Sequence, residues 1–270
     1  MANIEIYTLF SGSKGNCVFL KAGQSRVLID AGRSLGAIDK ALRLIGSSVG
    51  QIDAVVVTHE HSDHIAGAGV LCRRYRVPVY ATEDTWQAMD GKVGEIPPGL
   101  RRTFDKRQDF YLGDIGVAPF AIPHDAADPV GYRLWGGQAS IATATDLGYF
   151  SKGVREAVAG SSLVLLESNH DPDMLMRNPH YSARLKQRIL GNHGHLSNES
   201  CAQAMLQLME TGVHHIILGH LSGENNTPDL ALSVAENRAE EAGVRLGKDL
   251  SIDLAWRDRV GGVYTLKEGA

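Results

Sequence analysis

The segment AVVVTHEHSDH, residues 54–64, constrains this chain more than any other part of the sequence. A short apolar run leads directly into three histidines, a glutamate and an aspartate, all within residues 59–64. The apolar run is typical of a buried strand, and the polar run begins where such a strand would end. The pattern HxHxDH in this position predicts a metal site. The alternative is that these are ordinary surface or core histidines, as a lone histidine usually is.

Four further acids and histidines follow other strand-like runs in the same way. Asp30 follows VLI, His124 follows FAIP, Asp146 follows IATAT and His220 follows IILG. Ligands of open α/β sheets collect outside the carboxyl ends of strands, because several loops converge there on a rigid scaffold. Together with His59, these residues indicate one site built from five strand ends. Imidazoles and carboxylates without cysteine suit zinc, manganese or iron.

Spacing within the motif favours two divalent ions. His59 and His61 are two residues apart on an extended turn, so their side chains point to the same side and can bind one ion. Asp63 and His64 lie where the chain bends into the next helix and would face a second ion. Two ions about 3.5 to 4 Å apart that share a hydroxide form a hydrolytic centre. The predicted ligands are His59, His61 and His124 for one ion, Asp63, His64 and His220 for the other, and Asp146 as the bridge.

Strand-like and helix-like segments alternate along the chain, which indicates the α/β class in a single domain over residues 1–270. Apolar residues at helical spacing predict helices at 34–46, 65–75 and 197–212, the last capped by Ser197 or Asn198. The predicted strands are IEIYTLF, CVFLKA and RVLID in an opening meander, followed by AVVV, PFAI, SIATAT, LVLLE and HIILG.

The composition excludes some classes of partner. The formal net charge of -4 gives no global basic field, so a nucleic-acid partner would need a local basic patch. Cys17, Cys72 and Cys201 form no CxxC pair, which fits a reducing cytosol better than secretion. No apolar run approaches the roughly 18 residues of a membrane span. We therefore expect a cytoplasmic protein without a membrane partner, and the oligomeric state is left open.

The motifs also carry a family resemblance that spans nearly the whole chain. THEHSDH with Asp30, His124, Asp146 and His220 resembles the metallo-β-lactamase superfamily. Within it, SGSKGN (11–16), HDAADPVGY (124–132), GHLSN (194–198) and HLSGENNTP (220–228) resemble the YycJ/WalJ family of DNA exonucleases, which is similar in plan to ribonuclease Z. The resemblance implies a four-layer αβ/βα sandwich, a metal-bridging hydroxide as nucleophile and 5′ to 3′ hydrolysis of DNA. The segment between Asp146 and His220 leaves no room for a cap domain.

The resemblance also assigns roles to individual residues. Asp30 would orient a ligand histidine, although a turn or helix-capping aspartate is the alternative. His195 would protonate the leaving oxygen, beside Asp63 as a second catalytic residue, or would only begin the following helix. Glu167 at the end of LVLLE would hold His195, or would pair with a surface lysine.

Substrate contacts are predicted from two segments and one loop. The turn SGSKGN offers Ser11, Ser13 and Asn16 around backbone N–H groups that suit a phosphate, although it is equally a plain hairpin turn. A basic segment before GHLSN includes Arg184 and Arg188, and a second one lies at 101–107. Either is alternatively a solvated face. Asn226 follows the last predicted ligand and would contact substrate or shape its loop.

Three functions fit these patterns. The first is a two-metal phosphodiesterase that acts on DNA, which GHLSN and the adjacent basic segment favour. The second is a hydrolase of thioesters, lactones or β-lactams that uses the same metal centre on a carbonyl carbon. The third is a metal-stabilised nucleic-acid-binding module without catalysis, which would be expected to have lost ligands, and none is missing from this sequence.

Overall fold

The computed structural model describes residues 4–266, which form strands and helices in alternation. The strands are β1 Ile4–Phe10, β2 Cys17–Ala22, β3 Ser25–Ile29, β4 Ala54–Val56, β5 Val79–Ala81, β6 Arg101–Thr103, β7 Phe110–Leu112, β8 Ile115–Ala121, β9 Val130–Gly136, β10 Ala139–Ala144, β11 Leu163–Glu167, β12 His215–Gly219, β13 Ser251–Leu254 and β14 Val263–Leu266. The helices are α1 Leu35–Leu44, α2 Ser62–Ile65, α3 Ala68–Tyr75, α4 Glu83–Met89, α5 Lys152–Val158, α6 Pro172–Arg177, α7 Ala183–Leu190, α8 Asn198–Met209 and α9 Pro228–Glu241.

The strands form two seven-stranded mixed sheets. The first has the order β14-β1-β2-β3-β4-β5-β6 and the second the order β13-β12-β11-β10-β9-β8-β7. The pairs within β3-β4-β5-β6 and within β10-β11-β12-β13 are parallel, and all the other pairs are antiparallel. Because two antiparallel steps restore direction, β1 runs with β3, and β8 runs with β10. The chain segments that follow β3 and β4 therefore leave the same edge of the first sheet. Those that follow β8, β10 and β12 leave one edge of the second sheet.

Three apolar clusters separate four layers. Residues such as Ile6, Val27, Leu134 and Ile141 fill the space between the two sheets. Helices α1, α3 and α4 cover the outer face of the first sheet, and α5, α8 and α9 cover that of the second. The alternation of these elements buries both faces of each sheet, which is why their central strands are almost continuously apolar. The predicted four-layer α/β sandwich is confirmed.

Each predicted strand coincides with an observed one, whereas the structure adds β5, β6, β7, β9, β13 and β14. One predicted helix also differs. The helix predicted over 65–75 is divided into α2 and α3, because the Gly67 N–H donates to the Ala31 carbonyl at 2.7 Å instead of continuing one helix. Ser197 is the cap of α8, since its side chain accepts the Ser200 N–H. Among residues 4–266, no helix combines the length and apolar character needed to cross a bilayer.

Candidate metal centre

The polar residues that follow five strands meet at the seam between the two sheets. Asp30 and His59 come from the first sheet, and His124, Asp146 and His220 come from the second. All five are buried. Asp30, Asp146 and His220 have φ values of 60°, 61° and 55°, which are uncommon for residues with a Cβ. Three of the five strands therefore end in a strained turn that carries a polar side chain to the seam.

Three histidines form the first donor group. The side chains of His59, His61 and His124 each offer a ligand atom within 4.8 Å of the others. His59 Nε2 lies 3.0 Å from His61 Nδ1, and His124 Nδ1 lies 3.1 Å from the Gly194 carbonyl oxygen. Burial lowers the pKa of His59 and His124, so both imidazoles are neutral and keep a lone pair for a cation.

The second donor group comprises Asp63, His64 and His220, again with ligand atoms within 4.8 Å of one another. The Asp63 carboxylate lies 3.5 Å from His64 Nε2 and 3.9 Å from His220 Nε2. The first two side chains are carried by the short helix α2, and His220 follows β12. The two sheets thus contribute to this group as they do to the first.

Asp146 lies between the two groups. Its carboxylate is 3.1 Å from His220 Nδ1, 3.4 Å from His64 Nε2 and 3.6 Å from His124 Nε2. It also shares a donor set with His59 and His64. Asp146 therefore borders both donor groups.

Opposite charges compensate each other in the buried cluster. Burial lowers the pKa of His64, but Asp30 and Asp146 outweigh it, so the pKa lies well above its ordinary value. Burial likewise opposes protonation of His220, yet Asp146 and Glu167 raise its pKa to about 10. Burial also disfavours the charged form of Asp146, but His220 and His64 hold its pKa well below the ordinary range. The carboxylates therefore require positive charge at the seam.

Divalent cations fit this requirement. Among the residues that the structure describes, Asp146 Oδ2 and both ring nitrogens of His220 are buried without a hydrogen-bond partner. Unsatisfied buried polar atoms are costly, and imidazole with carboxylate is a donor set that zinc, manganese and iron accept. The residues present thus suit metal ions in place of the protons on His64 and His220.

Asp30 and Thr58 hold the rings of His64 and His59 in place. Asp30 Oδ2 lies 2.8 Å from His64 Nδ1, and its two carboxylate oxygens also accept the Thr58 N–H and hydroxyl. The Thr58 hydroxyl is 3.0 Å from His59 Nδ1. Contacts of this kind fix which ring nitrogen faces an ion. Thr58 has no predicted role, although it stands immediately before His59 in the motif.

His195 and Glu167 form a pair at the edge of the cluster. His195 Nδ1 lies 2.8 Å from Glu167 Oε1, while Glu167 Oε2 accepts the N–H groups of Leu147 and Leu196. Glu167 is buried, and although burial raises its pKa, His195 and His220 lower it to about 2. The His195 side chain keeps 22% of its surface exposed and lines an open pocket. An ionised Glu167 therefore holds a histidine that solvent and ligands can reach.

Comparison with known proteins places this site in a family. A profile described as a beta-lactamase superfamily domain matches residues 25–221. The chain belongs to this superfamily. Exodeoxyribonuclease WalJ of Streptococcus pneumoniae is 39% identical over 246 residues, which are 90% of this chain and 91% of that protein. Exodeoxyribonuclease YycJ of Bacillus anthracis is 38% identical over 249 residues, 92% and 94% of the two chains.

The fold agrees with that assignment. The metallo-beta-lactamase fold protein YhfI of Bacillus subtilis superposes with a TM-score of 0.72, covering 98% of this chain and 100% of that one. Its sequence identity is only 16%, so the likeness concerns the fold alone. The resemblance to the metallo-β-lactamase superfamily and to its YycJ/WalJ members is therefore confirmed.

Three of the residues predicted to contact substrate are buried at this site. Ser11 is buried, and its hydroxyl accepts the His220 N–H at 2.8 Å. The Asn16 side chain accepts the Gly12 N–H and lies 3.3 Å from the Asp63 carboxylate and 3.0 Å from His64 Nε2. Asn226 is buried, and its amide donates to the Ser168 and Asn169 carbonyls. Ser11 and Asn226 thus hold backbone groups, whereas Asn16 lies beside Asp63 and His64, and substrate contact by all three stays a prediction.

The remaining predicted contacts face solvent. Ser13 is exposed and lines the same pocket as His195. Arg188 also lines it, but its guanidinium forms an ion pair with Asp125. Arg184 lies one turn earlier on α7 and is exposed. These residues have the accessibility that substrate contact requires.

A close backbone crossing sets the position of Asp63. Asn16 N donates to the Asp63 carbonyl at 2.7 Å, and Gly32 N donates to the Asn16 carbonyl at 2.8 Å. A Cβ on Gly32 would lie 1.6 Å from the Asp63 carbonyl oxygen, so only glycine permits this approach.

We predict that Gly32→Ala displaces Asp63 and weakens metal binding by roughly tenfold or more, with a loss of stability of about 1 to 3 kcal/mol from overpacking. Gly36→Ala is the matched control, because no atom lies within 4 Å of a Cβ there. Metal titration and urea denaturation of both variants measure the two effects. Equal metal affinity and equal stability of the two variants would contradict the idea that the backbone crossing positions Asp63.

Proposed function

We propose that this chain is a metal-dependent exodeoxyribonuclease that hydrolyses phosphodiester bonds of DNA. The observation that carries the proposal is the geometry of the seam, where two donor groups flank one carboxylate and an accessible histidine lies beside them. The choice of DNA is supported by the two relatives named exodeoxyribonucleases, which match about nine-tenths of the chain.

We assign two divalent ions to the two donor groups. His59, His61 and His124 would hold one ion, Asp63, His64 and His220 the other, and Asp146 would lie between them. Bound ions of this kind supply Lewis acidity and lower the pKa of water, so that a nucleophile is available at neutral pH.

The protein's own residues then determine orientation and proton transfer. Asp30 fixes His64, and the Ser11 hydroxyl fixes the backbone of His220. With Nδ1 held by Glu167, His195 can present Nε2 to the oxygen that leaves phosphorus and donate a proton to it. Asp63 adds a negatively charged carboxylate beside His64 and His220, where it would help to hold the second ion.

The direction of hydrolysis is part of the proposal. Hydrolysis from 5′ to 3′ follows from the family resemblance, and the exposed Ser13 in the turn at 11–16 is our candidate for contact with a terminal phosphate. This turn follows β1, which runs with β3, so it leaves the same edge of the sheet as Asp30.

The metal assignment predicts close to two transition-metal ions per chain. His220→Ala removes a ligand of one donor group only, so we expect it to retain close to one ion. His214→Ala, at an exposed residue outside the centre, should retain both. Elemental analysis after dialysis measures the content, and a wild-type chain that holds one ion when metal is plentiful would contradict the assignment.

The role of His195 predicts a selective defect. His195→Ala should keep its metal but lose about 10² to 10⁴-fold in rate on DNA, the usual scale for general acid catalysis. The defect should shrink on a nitrophenyl phosphodiester, whose leaving group needs no proton. His193→Ala, two residues away and exposed, is the control and should match the wild type. Loss of metal or an unchanged rate in His195→Ala would remove it from the mechanism.

A comparison of substrates tests the function itself. At equal metal loading, we expect the wild-type protein to degrade DNA progressively from an end, with activity falling steeply as salt rises. A thioester and a lactone should be turned over far more slowly. Efficient ester hydrolysis without DNA cleavage would overturn the nuclease and favour a hydrolase that acts on carbonyl carbon.

A further inference from the structure

Three adjoining pockets lead away from His195. The inner pocket, of about 170 Å³, is lined by His195, Arg188 and Tyr181. The middle pocket, of about 430 Å³, shares Ser13, Tyr181 and Ser222 with the inner one. The outer pocket, of about 440 Å³, shares Arg257 and Asp258 with the middle one. Because neighbouring pockets share lining residues, they lie side by side, and we call the three together the His195 groove.

Cations without ion-pair partners line this groove. Arg33 donates to the Lys14 carbonyl, Arg257 donates to the Ser222 carbonyl, and Arg259 lies over the Trp256 ring. Within residues 4–266, none of these cations, nor Lys14, forms a salt bridge with a carboxylate. By contrast, the basic segment at 101–107 is largely paired, through Arg101 with Glu83, Lys106 with Asp128 and Arg107 with Asp105.

The groove is locally positive on an acidic chain. Its cationic side chains are Lys14, Arg33, Arg188, Arg257 and Arg259. Its acidic side chains are Asp125, Glu224 and Asp258, and Asp125 is already paired with Arg188. The formal net charge of the chain is -4, so an excess of positive charge here is a local property. A polyanion would be attracted to this groove rather than to the surface as a whole.

Two aromatic side chains are interleaved with these cations. Tyr181 lies in the wall between the inner and middle pockets, and Trp256 lines the outer pocket. The Arg259 guanidinium carbon lies 3.6 Å from the centre of the Trp256 ring, so the cation is held over one face of that ring. Alternation of phosphate-binding cations with stacking rings is the chemistry that single-stranded nucleic acids require.

We propose that the His195 groove binds the single strand of DNA that extends from the scissile phosphate, with Tyr181 and Trp256 stacking on bases and the four unpaired cations contacting phosphates. This inference rests on the proposed function, since it places the reacting end of the strand at His195. No base edge is read by these contacts, and binding is therefore independent of sequence.

Charge reversal in the groove tests the phosphate contacts. The double variant Lys14→Glu with Arg259→Glu changes two exposed groove residues, and Lys40→Glu with Lys248→Glu makes the same change in net charge at exposed residues outside the groove. Fluorescence anisotropy with a nuclease-resistant phosphorothioate oligonucleotide measures binding. We expect the groove variant to bind roughly tenfold or more weakly, and its plot of log K against log salt to become shallower by about 1.4, the value for two lost single-strand phosphate contacts.

Replacement of the ring tests stacking. Tyr181→Ala should weaken binding of the same oligonucleotide by roughly 5- to 100-fold, the scale of one lost base-stacking contact. Tyr181→Phe keeps the ring and should bind as the wild type does. If the alanine and phenylalanine variants are equally weak, the hydroxyl and not the stacking surface matters, and the role of Tyr181 is overturned.

The outcomes separate the groove from the proposed function. If the wild type cleaves DNA and the groove variants bind the oligonucleotide as tightly as the control pair does, strand binding by the groove is contradicted. The proposed nuclease activity is then still supported. If the wild type cleaves no DNA, the proposed function fails first. Thermal unfolding midpoints that match the wild type ensure that weaker binding in the groove variants reflects lost contacts and supports the proposal.

Discussion

The electrostatic cost of burying carboxylates is the constraint on which the rest of this structure depends. Asp30, Asp146 and Glu167 are almost completely removed from water, and an uncompensated buried charge is strongly destabilising. Each carboxylate therefore has a histidine within about 3 Å, and Asp30 and Glu167 also accept backbone N–H groups. This compensation makes the seam a cluster of fixed donors rather than a set of independent side chains.

The topology explains why such a cluster can form at all. Each sheet contributes part of both donor groups, so neither sheet alone contains a complete set. The polar side chains reach the seam because the strand ends point the same way and because Asp30, Asp146 and His220 have left-handed backbone. The strain of these turns is tolerated because apolar packing between the sheets fixes the strands on either side. Packing energy in the core thus maintains the geometry of the site.

The sequence pattern predicts eight of the fourteen described strands and the convergence of polar groups, because apolar runs, strand ends and the HxHxDH spacing are local signals. The four layers follow only from the family resemblance. The strands at 17–22 and 163–167 and the cap Ser197 are where the pattern predicts them. What local pattern cannot give is the partner across the fold. Ser11 and Asn226 have the polar character of substrate-binding residues, but their partners, His220 and the Ser168 carbonyl, are distant in sequence. The pairing of Arg188 with Asp125, and the arrival of Arg257 beside Ser13, are likewise products of tertiary structure.

Helix α7 has a further consequence for how firmly His195 is held. None of its eight residues is buried, and it is held by contacts such as the Lys186 ammonium with the Met176 carbonyl. Elements with so few buried groups open at a lower free energy than the core. The Ile189 carbonyl on this helix accepts the His195 N–H, so each opening also releases the backbone beside His195. The position of the His195 backbone therefore depends on a helix whose own stability comes from contacts at the surface and not from burial in the core.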